Sequence, residues 1–179
     1  EETLLVALKE ADRFPPGDPR LPITLNNLAS VCQDLGKIAE AEKYYQRTIT
    51  LYEQVRGKEH PILAKPLHNL ASLYLEHGQY GRAERLSRRA LALAGGEAEP
   101  DQADTAMLVH GLAMAYHAQE RYAEAESLYL RALSLWEKRL GAESREVAEG
   151  LNNLSFLCAQ TGRWDEAVQH LQRSLSVLE

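Results

Sequence analysis

The side chains able to do chemistry here are six histidines, two cysteines, and asparagines placed where helices disfavour them. The histidines raise the question of a metal. His110 and His117 lie two helical turns apart, about 10 Å along a helix. His68 and His110 would sit on neighbouring helices, whose axes pack roughly 8–10 Å apart. Zinc holds its ligands at about 2 Å. The chain has no H-x-x-x-H pair and no C-x-x-C pair. Solvated or ligand-contacting histidines are therefore expected, with no metal and no other cofactor. No glycine-rich phosphate loop, G-x-S-x-G or H-E-x-x-H occurs either, so the chain reads as a non-enzyme.

The elements that carry these residues follow from composition and period. In 179 residues there are 29 Leu, 24 Ala and 20 Glu, all strong helix formers, against 17 Val, Ile and Thr together. An all-α fold is expected. Twenty Lys and Arg against 26 Asp and Glu give a net charge of −6. That lacks the basic footprint of a nucleic-acid binder. The longest apolar runs are about five residues, such as Ala90 to Ala94, where a membrane span needs roughly 18. Two cysteines make no disulfide framework, and a cytoplasmic setting is the default. The chain begins at Glu1 rather than Met, as expected of a piece of a longer protein.

One period runs through the chain without a gap. Leu28 recurs as Leu70, Leu112 and Leu154, and Ala41 recurs at the same step as Ala83, Ala125 and Ala167. Gly36, Gly78 and Gly162 form a further column, with Glu120 the exception. Each copy reads as two helices. Leu25, Leu28, Ala29 and Cys32 make one apolar face, a glycine stops the helix, and a second helix carries Ala41, Tyr44, Tyr45, Thr48 and Ile49. Helices are expected near 2–14, 23–35, 39–56, 63–77, 81–94, 102–119, 123–140, 144–161 and 165–178. The repeats run over about 23–64, 65–106, 107–148 and 149–179, in a single array, with 1–22 closing a preceding partial repeat. Cys32 and Cys158 occupy one position three repeats apart, roughly 30 Å at about one helix spacing per repeat, too far for a disulfide. Each is read as a buried small hydrophobe.

The order Leu-x-x-Leu-Ala, glycine, aromatic, alanine, aromatic resembles the tetratricopeptide repeat. With Leu25-Asn26-Asn27-Leu28-Ala29 and Gly57-Lys58-Glu59-His60-Pro61, the long repeating unit is similar to the kinesin light chain type. The resemblance covers about residues 23–179. It implies a superhelical solenoid of helix pairs, about four repeats plus a leading helix, serving as a protein–protein interaction scaffold. A peptide or partner segment would lie extended along its concave side. Similar arrays in bacterial proteins are attached to protease, kinase or nucleotide-switch domains. A self-association or regulatory module of a larger signalling protein is therefore the alternative.

The expected groove face is the side of each first helix opposite its apolar one. It presents Asn26, Asn27 and Ser30, then Lys65, His68, Asn69 and Ser72, then Met107, His110, Met114 and His117, then Asn152, Asn153 and Phe156. Asparagine disfavours helix interiors, yet Asn27, Asn69 and Asn153 share one column, broken by Gly111. The column matches the family's groove asparagine. These amides could pair with a peptide backbone or bind neighbouring helices together, and the two can coexist. Met107, Met114 and Phe156 offer an apolar anchor point, or else pack on neighbouring helices. Lys65 and Asn69 match half of the family's carboxylate clamp, but Gly111 and Glu149 replace the other half, which argues against that activity. Arg82, Arg85, Arg88 and Arg89 read as a solvated outer face. Leu171, Leu175, Val177 and Leu178 on the last helix would need a cover, either continuing chain or another copy of the protein, and self-association through 165–179 is a second partner expectation.

Overall fold

The computed structural model describes residue 14, residues 18–95 and residues 105–178. Among these residues there are eight α-helices and no strand. They are α1 (Arg20–Asp34), α2 (Ile38–Arg56), α3 (Ala64–Glu76), α4 (Tyr80–Leu93), α5 (Thr105–His117), α6 (Tyr122–Leu140), α7 (Arg145–Gln160) and α8 (Trp164–Leu178). Their bounds follow the periodicity to within about a helical turn. The helix expected at 2–14 lies outside the described residues. The chain divides into two compact units, Glu1–Leu93 and Ala94–Glu179.

One turn joins the two helices of every pair. Lys37 N donates to Cys32 O at 2.8 Å, and the same bond recurs from Gln79 to Tyr74, Arg121 to Tyr116 and Arg163 to Cys158. It is the 6→1 bond that closes a helix whose end turns left-handed. Gly36, Gly78 and Gly162 take φ of 70°, 70° and 77° there, conformations that cost glycine no Cβ clash. Glu120 takes φ of 61° at the third of these four turns. The pair geometry thus imposes the turn even where glycine is missing.

In the first unit α1 packs on α2, α3 on α4, and α2 on α3. Leu25, Ala29 and Cys32 of α1 are fully buried, as are Ala41 and Thr48 of α2. Small residues at 29 and 41 let the helices approach closely. Each buried leucine contributes about 1.5–3 kcal/mol relative to exposure. Thr48 is satisfied inside the core by donating to Tyr44 O at 2.9 Å. A short 3-10 turn, Pro61–Leu63, leads into α3, with His60 Nδ1 accepting from Ile62 N.

The second unit repeats the plan. There α5 packs on α6, α7 on α8, and α6 on α7. Nearly all of α5 is buried, including His110 and Gly111. Gly150 of α7 provides the close approach to α6, since a Cβ there would lie 3.2 Å from Trp136 Cζ3 and 3.6 Å from Leu133 Cδ1. Ser144 caps α7 by accepting from Val147 N. The offset between units is two repeats: α2 spans 38–56 and α6 spans 122–140.

Candidate functional site

Within each unit the two first helices, α1 with α3 and α5 with α7, are tied by polar rungs across the faces opposite their apolar ones. In the first unit Asn69 Nδ2 donates to Asn26 Oδ1 at 3.1 Å. Two helical turns on, Gln33 Nε2 donates to both carboxylate oxygens of Glu76 at 2.8 Å. Tyr45 of α2 donates its hydroxyl to Gln33 Oε1 at 3.1 Å. Burial pushes the Tyr45 phenol above its usual range, so it stays a donor.

The second unit builds the same rungs from other side chains. Asn153 Nδ2 meets His110 Nε2 at 2.8 Å. His117 Nε2 meets Gln160 Oε1 at 2.6 Å, and its Nδ1 meets the Tyr129 hydroxyl at 3.2 Å. The Gln160 oxygen can only accept, so Nε2 of His117 carries the proton of that bond. Burial raises the Tyr129 phenol far above its usual range. Each member stands two repeats after its counterpart: 26 and 110, 69 and 153, 33 and 117, 76 and 160, 45 and 129.

These rungs sort the sequence-derived candidates. Asn69 and Asn153 are half-buried and bound to the neighbouring first helix, as is Asn26. Asn27, Ser30, Lys65 and Asn152 are exposed. His68, Ser72 and Met107 are half-buried. His110 corrects the expectation of solvated or ligand-contacting histidines. It is 5% exposed, its ring 5.4 Å from that of Tyr129 and 5.0 Å from that of Trp136. The helix wheel placed it with the polar face, but the two aromatics of α6 cover it.

Around the second unit's rungs lies exposed apolar surface. Phe156 is 58% and Met114 38% exposed. Phe156 holds its ring 5.5 Å from His117, and Tyr122 lies 5.8 Å from His117 on another side. Gln33, Glu76 and Gln160 lie on the face that the helical wheel of the first helices selects, while Tyr45, Tyr129 and Trp136 reach it from the second helices and were not assigned to it. The signal was present as a spacing of one repeat plus one position, which joins 26 to 69, 33 to 76, 110 to 153 and 117 to 160.

Elsewhere several charged groups are paired. Tyr74 donates to Glu42 at 2.7 Å, and Arg82 reaches the same carboxylate at 3.0 Å, holding Glu42 below the usual carboxylate range. Arg89 pairs with Glu53 at 2.7 Å, and Arg88 with Glu84 at 3.0 Å. Ligand atoms of Glu126, Cys158 and Glu166 lie within 4.8 Å of one another, a spacing that suits a cation. The Arg163 guanidinium bonds Glu126 at 2.7 and 2.9 Å and Glu166 at 3.3 Å, so the cluster supplies its own positive charge. Both cysteines are free and buried, and burial raises both thiols. An apolar cleft of about 180 Å³ opens between the start of α1 and the end of α2, lined by Leu21, Pro22, Ile23, Tyr52, Val55 and Ile62 among others.

Antiparallel helix pairs closed by one recurring turn, at one fixed period, define a helix-pair repeat protein. The chain belongs to the tetratricopeptide repeat family, whose model matches residues 20–95 and 104–179, with a second tetratricopeptide repeat model matching 68–139. The two matched spans start two repeats apart, as the rungs do. No curated protein sequence matches the chain. Solved structures share the fold. BtubC (BKLC) from P. vanneervenii is 25% identical with a TM-score of 0.84, covering 98% of this chain and 71% of that one. A Podosopora anserina protein, described as a putative kinesin light chain with nearly identical TPR-like repeats, is 22% identical with a TM-score of 0.74, covering 99% and 84%. The apo form of RapI is 13% identical with a TM-score of 0.82, covering 98% and 62%. Tetratricopeptide proteins are typically non-enzymatic scaffolds for protein partners, and this fold supports that general role.

Proposed function

We propose that the groove-side faces of the first helices bind extended peptide segments of a protein partner, and that the chain acts as a scaffold without catalysis. The observation that carries this reading is the exposure of Phe156 and Met114 beside the rungs of the second unit. Large apolar side chains on a polar, hydrogen-bonded face suit an anchor residue of a ligand. In the first unit the exposed Asn27, Ser30 and Lys65 offer donors and acceptors to a peptide backbone. Asn69 and Asn153 are already engaged, so their part is to hold the face in shape. The setting we infer is the cytoplasm, where two free cysteines stay reduced. Among the described residues no helix is long and apolar enough to cross a membrane.

Panning a displayed random-peptide library on the chain tests the reading. Enriched peptides should carry a large apolar residue and lose about tenfold in affinity to Phe156→Ala, the worth of burying part of such a side chain. Peptides indifferent to Phe156→Ala, Met114→Ala and Asn27→Ala but lost on Arg85→Glu with Arg88→Glu would move the site to the outer face. A second reading, self-association through the helix over 165–179, is favoured by the apolar stripe that α8 exposes.

A further inference from the structure

In the first unit the rung from 26 to 69 and the rung from 33 to 76 advance together along the chain, so α1 and α3 run parallel. Their dipoles therefore point the same way. The amino ends, with partial positive charge, share one end of the face, and the carboxyl ends, with partial negative charge, share the other. The charged side chains there stand against that field. Lys65 is the second residue of α3, while Asp34 and Glu76 are the last residues of α1 and α3. All three are exposed, and among the described residues none of them is held in a salt bridge. Burial raises the Tyr45 phenol, and Asp34 and Glu76 raise it further, so both carboxylates bear on the hydroxyl at the Gln33 rung.

The same frame two repeats on lacks this conflict. Ala118 and Gln160 take the places of Asp34 and Glu76, and Glu149 takes that of Lys65. The first turn of α7 carries Glu146 and the last turn of α5 carries His117, each on the end that its dipole favours. The repeat therefore does not require the charges at 34, 65 and 76. Local rules broken without a structural return mark functional positions, and a ligand of opposite charge at each end would offset the conflict. Eleven positions separate Lys65 from Glu76, about 16 Å of helix. Lys65, Asn69, Ser72 and Glu76 fall at i, i+4, i+7 and i+11, one stripe without an apolar side chain. An extended chain spans that stripe in about five residues.

We propose that the first unit takes a mixed-charge segment of its partner: an extended peptide with an acidic side chain beside Lys65 and a basic one about five residues away, beside Asp34 and Glu76. This inference rests on the peptide-binding reading and names the ligand chemistry of the first unit. The corresponding face of the second unit presents Phe156, so the two units select different side chains.

Two measurements test it. The first uses the free chain. Lys65→Glu with Asp34→Lys reverses two exposed charges, and each new charge suits its helix end. Helical circular dichroism should be unchanged, and the thermal midpoint should rise by about 1–3 °C. A midpoint that stays or falls removes the conflict and overturns the proposal. The second pans a displayed random-peptide library on the unaltered chain. Enriched peptides that weaken on Asn27→Ala should carry an acidic and a basic residue about four to six positions apart, always in the same order. They should lose about tenfold in affinity for the charge-reversed variant at low salt, and much of that loss should vanish at about 0.5 M salt. Peptides indifferent to the reversal, peptides without the spaced charge pair, or peptides that all depend on Phe156 and never on Asn27 overturn this proposal and leave the peptide reading standing. A library from which nothing is enriched overturns both.

Discussion

Asn153 meets His110 at 2.8 Å on the rung that Asn69 and Asn26 form two repeats earlier at 3.1 Å. Asparagine in a helix interior is explained here by the neighbouring helix rather than by a ligand alone. Asn69→Ala should lower the stability of the first unit by about 1 kcal/mol, a lost hydrogen bond with a half-buried partner left behind. Asn27→Ala, at an exposed position, should change stability by less than about 0.5 kcal/mol while weakening peptide binding. Chemical denaturation of the two variants side by side checks the contrast.

Glu120 sits at φ 61° where its three counterparts are glycines. A non-glycine residue in this region costs roughly 1–2 kcal/mol, part of which glycine gives back in chain entropy. Glu120→Gly should therefore stabilise the chain by about 0.5–1 kcal/mol. Gly78→Ala should destabilise it by about 1 kcal/mol. Thermal melts of both would show shifts of opposite sign.

A Cβ at Gly150 would lie 3.2 Å from Trp136 Cζ3, tighter than an ordinary contact, and a larger side chain would press further on it. Gly150→Leu should force α6 and α7 apart at a cost of about 1–3 kcal/mol, the usual penalty of overpacking. Trp136 is 6% exposed, so its fluorescence should move to longer wavelength as water gains access.

Glu42 is held below its ordinary value of 4.5, first by the Tyr74 hydroxyl and then by Arg82. The folded value lies below the unfolded one. The interaction therefore contributes fully above the unfolded value and is lost as pH falls through the lowered one. Glu42→Gln should cost about 1 kcal/mol near neutral pH and progressively less on acidification. Unfolding midpoints of both proteins, followed from neutral pH into the acid range, should converge.

The fold was legible because one repeating frame fixes both helices and their turn. Gly36 and Gly78 mark where the chain reverses, and Leu25, Leu28 and Ala29 mark which side turns inward. The candidate face was legible only in part. A helical wheel assigns His110 and Asn152 to the same column, yet one is buried and the other exposed. The difference comes from Tyr129 and Trp136 on the next helix, which a wheel drawn for α5 does not contain. Pairings such as Gln33 with Glu76 depend on how neighbouring first helices are offset, and that extra step beyond the repeat is a packing property. Glu120 is the converse case: the sequence marks it as an exception, and the turn forms regardless.

Within each unit, nearly every contact joins helices that are consecutive in the chain. The loops closed during folding are therefore short, and closure entropy never has to await a distant partner. Such a chain can start folding at any helix pair and grow from there. It can also come apart in stages, so denaturation is not all-or-none by construction. The buried indole of Trp136 reports only its own neighbourhood of α6 and α7, while total helicity reports every pair. The unfolding curves drawn by these two signals will separate under conditions where one pair melts before the rest.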